Sequence, residues 1–197
     1  MIDFSPVKDK EIKLIDYAKQ ENVTAEDLRN YANESIDYLV SLVDGLTDAD
    51  IVFDPEDLEA DDPYAVEGEE NIGWTFGHLI AHVTASAEEG AAQSSLLARG
   101  CPTAERPRYE TPWRDVKTVD QVKQRLEESR RMRTAYLDTW PDTPHLDVYR
   151  DVSERYTARV GLVNAPAAFL SGLSHEVGHY EQIKEVREQA LKARQAV

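Results

Sequence analysis

His175-Glu176-Val177-Gly178-His179, close to the C-terminal end of this 197-residue chain, is the stretch around which the rest is organised. On a helix, residues four apart share a face, with Cβ atoms about 5–6 Å from one another. Two imidazole nitrogens placed that way can reach one cation at about 2.0–2.1 Å. Two ligands do not complete a site. The chain has five histidines, and two of the other three repeat the spacing: His78 and His82, in Trp74-Thr75-Phe76-Gly77-His78-Leu79-Ile80-Ala81-His82-Val83. A third ligand drawn from that pair turns the remaining chain into a scaffold that brings two helices together.

The scaffold is legible from its periods. Thr24-Ala25-Glu26-Asp27 has the form of a capping box, and Leu28, Tyr31, Ile36, Leu39, Leu42, Val43 and Leu46 follow near a 3.6-residue period. Gly45 and the polar run Thr47–Asp50 end that helix. A second helix is expected from Asn71 or Gly73 to about Ala98, with Trp74, Leu79, Ile80, Val83 and Ala87 on its buried side. A third runs from Thr118, its N-cap, to Trp140, with Val119, Val122, Leu126, Met132, Tyr136 and Leu137 inward. The fourth opens at Asn164-Ala165-Pro166 and continues unbroken through Phe169, Leu170, Leu173, Val177, Tyr180, Ile183 and Val186. Four long helices with long connections at 51–70, 99–117 and 141–163 predict an all-α four-helix bundle over 23–197.

Residues 1–22 read as an N-terminal extension, with a short helix opened by Ser5-Pro6 that lays Ile12, Ile15 and Tyr17 across the outside of the bundle. In the first connection, Val52, Phe53 and Tyr64 are expected to touch the body. In the second, Arg106 and Arg108 look exposed, and in the third Val160–Val163 is a candidate lining segment. Gly73 and Gly77 precede and adjoin His78, while Gly172 and Gly178 bracket His175. Each glycine weakens a helix interior by about 1 kcal/mol relative to alanine, which points to backbones that approach closely there.

Charge narrows the function. The 38 acidic residues outnumber the 22 basic ones, for a net charge of −16. Nucleic-acid binding draws its affinity from Lys and Arg against phosphate, so this balance disfavours it. Arg125, Arg130, Arg131 and Arg133 form one local cluster, expected to be a solvated helix face. No apolar run approaches the roughly 20 residues that span a bilayer, and the N-terminal residues lack a signal-peptide pattern. With Cys101 as the single cysteine, no disulfide joins the chain to itself. A cytoplasmic protein is expected, without membrane association. His145, between Pro144 and Leu146, is expected at the surface.

The opening stretch also spells H-E-x-x-H, the zinc-protease signature in which the glutamate is general base. Against that reading for Glu176, eighteen residues follow His179 without another histidine, and no strand-rich region precedes the helix.

Trp74 with His82 eight residues on, in Gly-His-Leu-Ile-Ala-His-Val, followed by His175-x-x-x-His179-x-x-Gln182-Ile183, resembles the DinB/YfiT-like superfamily over about residues 24–190. The resemblance implies up-down-down-up topology and one divalent cation, Zn2+ or Ni2+, held by His82, His175 and His179 with a position left open. Gln182 matches the family's glutamine and is expected to orient a ligand or water. His78 and Glu176 have no fixed counterpart and stand as pocket candidates. The implied activity is metal-dependent chemistry on a small-molecule substrate with a low-molecular-weight thiol, as S-transferase or isomerase. Metal-dependent hydrolysis, or a non-catalytic metal- or thiol-binding sensor of the stress response, are the alternatives. Relatives often pair, so a homodimer is expected, with Trp113, Trp140, Ile12, Ile15 and Tyr17 as candidate surface.

Overall fold

Four threonines punctuate the chain. Thr24, Thr47, Thr75 and Thr118 each sit in extended backbone directly before a helix. Thr24, Thr47 and Thr118 make reciprocal capping boxes with Asp27, Asp50 and Gln121, and the Thr75 hydroxyl accepts the His78 amide. Each box satisfies amides that the first helical turn leaves without intrahelical partners.

A computed structural model describes residues 2–58, 60, 66–103, 109 and 111–196. The bundle helices are α3 (Ala25–Val43), α5 (Phe76–Ala98), α6 (Val119–Asp138) and α8 (Ala165–Gly178), the last continued by α9 (Tyr180–Gln195). Shorter helices are α1 (Ser5–Lys8), α2 (Leu14–Gln20), α4 (Asp48–Ile51) and α7 (Glu154–Val160). No strand occurs among the described residues. The fold is the expected all-α four-helix bundle. Helix α5 packs on α6 and α8, and so does α3, which places the consecutive helices α3 and α5 diagonally across the core. Ile36, Leu39 and Val43 meet Leu79, Ile80 and Val83 there. Tyr64, Arg106 and Arg108 lie outside the described residues.

Several expectations need correction. The second helix begins at Phe76, because Thr75 caps it; Gly73 belongs to the loop before, packed against the Pro55 carbonyl. Helix α5 is not one-sided but buried on nearly every face, Glu88 and Glu89 included. The fourth helix is not continuous. It breaks at His179, whose amide reaches back three residues to Glu176 at 3.0 Å before α9 resumes. The polar run read as the end of the first helix forms the short helix α4, the third connection contains α7, and Val52 is exposed.

The N-terminal segment does not lie across the outside. Phe4, Leu14 and Ala18 share a buried cluster with Phe169, Leu170 and Leu173 of α8, and Ile15 packs with Leu97 and Val163. Its helix is split in two, with Lys10 at φ +62° in the turn between.

The arginine cluster of α6 is not a solvated face. Arg125 pairs with the buried Glu88 of α5, Arg130 with Asp37 of α3 at 2.7 Å, and Arg133 with Glu176 of α8 at 2.5 Å. Only Arg131 of the four is exposed. Arg133 takes the core position that the period assigned to Met132, which is half-buried. Arg125, Arg130 and Arg133 thus each tie α6 to a different neighbour.

Candidate metal centre

Helices α5 and α8 come together through small residues. A Cβ on Gly90 would lie 2.7 Å from the Ala168 carbonyl oxygen, and one on Gly172 would lie 2.7 Å from Cα of Ala87. That approach is the reason for glycine at both positions, and it sets His82 beside His175. Gly90 was not singled out from the sequence. Gly178 differs: its Cβ would meet open space, so no close approach explains it.

One nitrogen from each of His82, His175 and His179 lies within 4.8 Å of the others, a cluster that can hold a metal ion. Nε2 of His82 and Nε2 of His175 are 2.8 Å apart, and the three ring centroids are 4.7–5.1 Å from one another. Nδ1 of His179 donates to Oε1 of Gln182 at 2.8 Å. That bond leaves the Nε2 lone pair of His179 free to point at a cation, the usual arrangement for a ligating imidazole. Neutral imidazoles suit Zn, Ni, Cu and Fe, so the donor set fits a divalent transition metal. His175 is exposed and the other two half-buried, which leaves one side of the cluster open to small molecules.

Aromatic rings wall the opposite side. Trp74 sits 4.7 Å from His82, edge on, and 6.0 Å from His179 in a stacked orientation. His78 is stacked between Trp74 and Trp113, at 4.4 and 4.3 Å, and lies outside the three-nitrogen cluster. The Arg114 guanidinium caps the column 4.2 Å above Trp113. Trp113 gets there through a one-turn 3₁₀ helix, Trp113–Asp115, and the chain after it crosses α5 at Gly77. A Cβ at Gly77 would be 2.5 Å from the Val116 carbonyl oxygen. Nothing near Trp113 in the sequence announces this contact, although the glycine beside His78 did signal that some backbone passes there.

Glu176 faces the core, not the histidines. It is fully buried, bonded to Arg133 and to the Ser35 hydroxyl, with the Tyr180 hydroxyl 3.5 Å away. Burial, reinforced by the Glu176 charge, pushes the Tyr180 phenol well above its ordinary value. One residue on a helix is about 100° of rotation, enough to turn Glu176 away from the face His175 uses. A general-base role on a small molecule at the histidines has no geometric support.

The profile of the DinB superfamily matches residues 31–183, most of the chain and all three histidines. Among curated proteins and solved structures, none matches.

Proposed function

Because the chain belongs to the DinB superfamily, we propose that it is a divalent-metal-dependent enzyme acting on a small-molecule substrate with a low-molecular-weight thiol, by transfer or isomerisation. The observation that carries the reading is the exposed His175 beside two half-buried histidines. Three protein ligands with an open position are the pattern of reactive sites, whereas structural zinc is usually closed by four. A bound divalent cation, Zn2+ or Ni2+, would lower the pKa of a thiol or water that it binds, making a nucleophile near neutral pH.

The chain's own groups do the rest. His82, His175 and His179 supply the donors. Gln182 holds the His179 ring in one tautomer, and Trp74 limits how far His82 and His179 can turn. The same arrangement serves metal-dependent hydrolysis, the second reading, if water takes the place of the thiol.

Metal content of the purified protein, compared with a His175→Ala/His179→Ala variant, tests the centre. One equivalent in the wild type and none in the variant is expected; equal stoichiometry refutes the site. Turnover of a panel of electrophiles with each cellular thiol then tests the reaction. Metal-dependent consumption of thiol supports transfer or isomerisation, consumption of substrate without thiol favours hydrolysis, and tight binding without turnover favours a sensor.

A further inference from the structure

Flat side chains stack in one column beside the histidine cluster. The Arg114 guanidinium lies 4.2 Å above the Trp113 ring, Trp113 lies 4.3 Å from His78 at an interplanar angle of 6°, and His78 lies 4.4 Å from Trp74 at 26°. Trp74 then meets two of the three candidate ligands, His82 edge on at 4.7 Å and His179 at 6.0 Å with the planes 18° apart. The middle of the column lies inside the protein: His78 is 7% exposed, and both indoles are half-buried. Rings in contact this close cannot tilt without opening a gap on one side or a clash on the other.

The outer end of the column comes from a different part of the chain. His78 and His82 belong to α5 and Trp74 directly precedes it, whereas Trp113 arrives on the second connection. That strap is anchored without help from the Trp113 ring. The Trp113 carbonyl accepts the Val116 amide at 3.0 Å, and the Val116 side chain is buried in the core with Phe76 and Leu79. The Val116 carbonyl sits against Gly77, where a side chain would not fit. At the surface Arg114 pairs with Glu69 of the first connection, an exposed contact that adds little. Closing the core would need only an apolar side chain at Trp113. Lying parallel to an imidazole needs a flat one.

We propose that Trp113 is a positioning residue of the metal centre, acting through His78 and Trp74 on His82 and His179. The inference rests on the metal centre proposed above and names a residue that governs it from the second connection. With Trp113 in place, His78 is held on both faces and keeps Trp74 against the two ligands. Without it, His78 gains room to tilt, Trp74 follows, and both ligand rings lose the surface that limits their rotation.

The test compares the wild type with Trp113→Ala, Trp113→Phe and Val116→Ala. Zinc affinity is read by competition with a chelator. The metal-free proteins are read by NMR cross-peaks between Trp74 indole protons and the ring protons of His82 and His179. Trp113→Ala should weaken zinc binding about tenfold, the lower end of what outer partners of metal ligands contribute, and Trp113→Phe, which keeps a flat face, should return to within about twofold of wild type. The cross-peaks should weaken in Trp113→Ala and persist in Trp113→Phe. Val116→Ala removes core methyl groups from the same strap, so it should melt at lower temperature while keeping zinc affinity and cross-peaks. Zinc affinity in Trp113→Ala within about twofold of wild type, a Phe variant as weak as the Ala variant, or an equal loss in Val116→Ala each overturn the proposal. If Trp113→Ala does not fold, Trp113→Leu decides, because it fills the space without a flat face. Weakened zinc binding then supports positioning by the ring, and unchanged binding refutes it. A wild type that takes up no zinc refutes the metal centre, and the cross-peaks then decide the positioning by themselves. Unweakened zinc binding in every variant refutes the positioning and leaves the centre intact.

Discussion

Glu176→Ala should destabilise the protein severely while leaving the three histidines able to take up metal. The carboxylate and its partner Arg133 are both fully buried, and Arg133 is the largest fully buried side chain among the described residues. Its guanidinium also donates to Ser129 Oγ at 2.9 Å and lies 3.3 Å from Ser35 Oγ, but those hydroxyls carry no charge. Removing Glu176 leaves an uncompensated cation in the core, which typically costs about 3–5 kcal/mol. Set against a total stability of about 5–15 kcal/mol, that is a large fraction. With a urea m-value of about 2 kcal/mol/M, the midpoint should fall by roughly 1.5–2.5 M at unchanged m. The thermal midpoint should fall by roughly 6–20 °C, at about 2–4 °C per kcal/mol for a chain of this size. Replacing both partners, Arg133→Met with Glu176→Leu, removes the stranded charge and should recover most of the loss, since apolar replacement of a buried pair is often neutral or better. Urea melts followed by circular dichroism measure all three proteins, and zinc titration below the transition reads the centre. Two outcomes would refute the reasoning: a single variant within about 1 kcal/mol of wild type, or a double variant no more stable than the single. Loss of zinc binding in a folded Glu176→Gln protein would instead place the carboxylate in the metal centre.

The glycines make a paired test. Gly172→Ala drives a Cβ into the backbone of α5 and should cost about 1–3 kcal/mol as an overpacked contact, whereas Gly178→Ala meets open space and should stabilise by about 0.4–1 kcal/mol; urea melts that reverse this order contradict the packing. Burial and the hydroxyl contact with Tyr109 at 2.8 Å push the Tyr136 phenol up to about 12. With the folded value raised above the ordinary 10.0, this contribution to stability is full below pH 10 and is lost as pH rises through the folded value. Tyr136→Phe should therefore flatten the fall in stability above pH 10, and an unchanged alkaline profile refutes the assignment. We further propose a homodimer with a complete centre in each subunit, since all three histidines come from one chain. Sedimentation equilibrium should give twice the 22.3 kDa chain mass, and a single species at the chain mass, unchanged at high salt, excludes it.

What the sequence by itself determined is what local energetics control. The capping boxes at Thr24 and Thr118, the apolar periods of the bundle helices and the i,i+4 histidine pairs all act within one or two helical turns. The helical spacing of the histidines was legible, but His82 rather than His78 as the third ligand is what the resemblance to the DinB/YfiT-like superfamily implies, because His78 and His82 share one face. The absence of a long apolar run likewise agrees with the structure, in which no helix of the described residues is long and apolar enough to cross a membrane. Val122, Leu126, Ser129, Arg133 and Leu137 form the buried face of α6, so the period passes through Arg133, whereas the arginine cluster was expected to be solvated and Met132 inward.

Which acid it meets was a matter for the tertiary structure, because Arg133 and Glu176 are 43 residues apart and a period specifies a face, not a partner. The same holds for the stacking of Trp113 on His78 and for the diagonal placement of α3 and α5. It holds for the docking of Phe4 and Leu14 onto α8. These contacts are decided by how four helices share one interior, where close packing and the pairing of buried charges such as Arg133 with Glu176 are satisfied together. No window of the chain contains both sides of that balance.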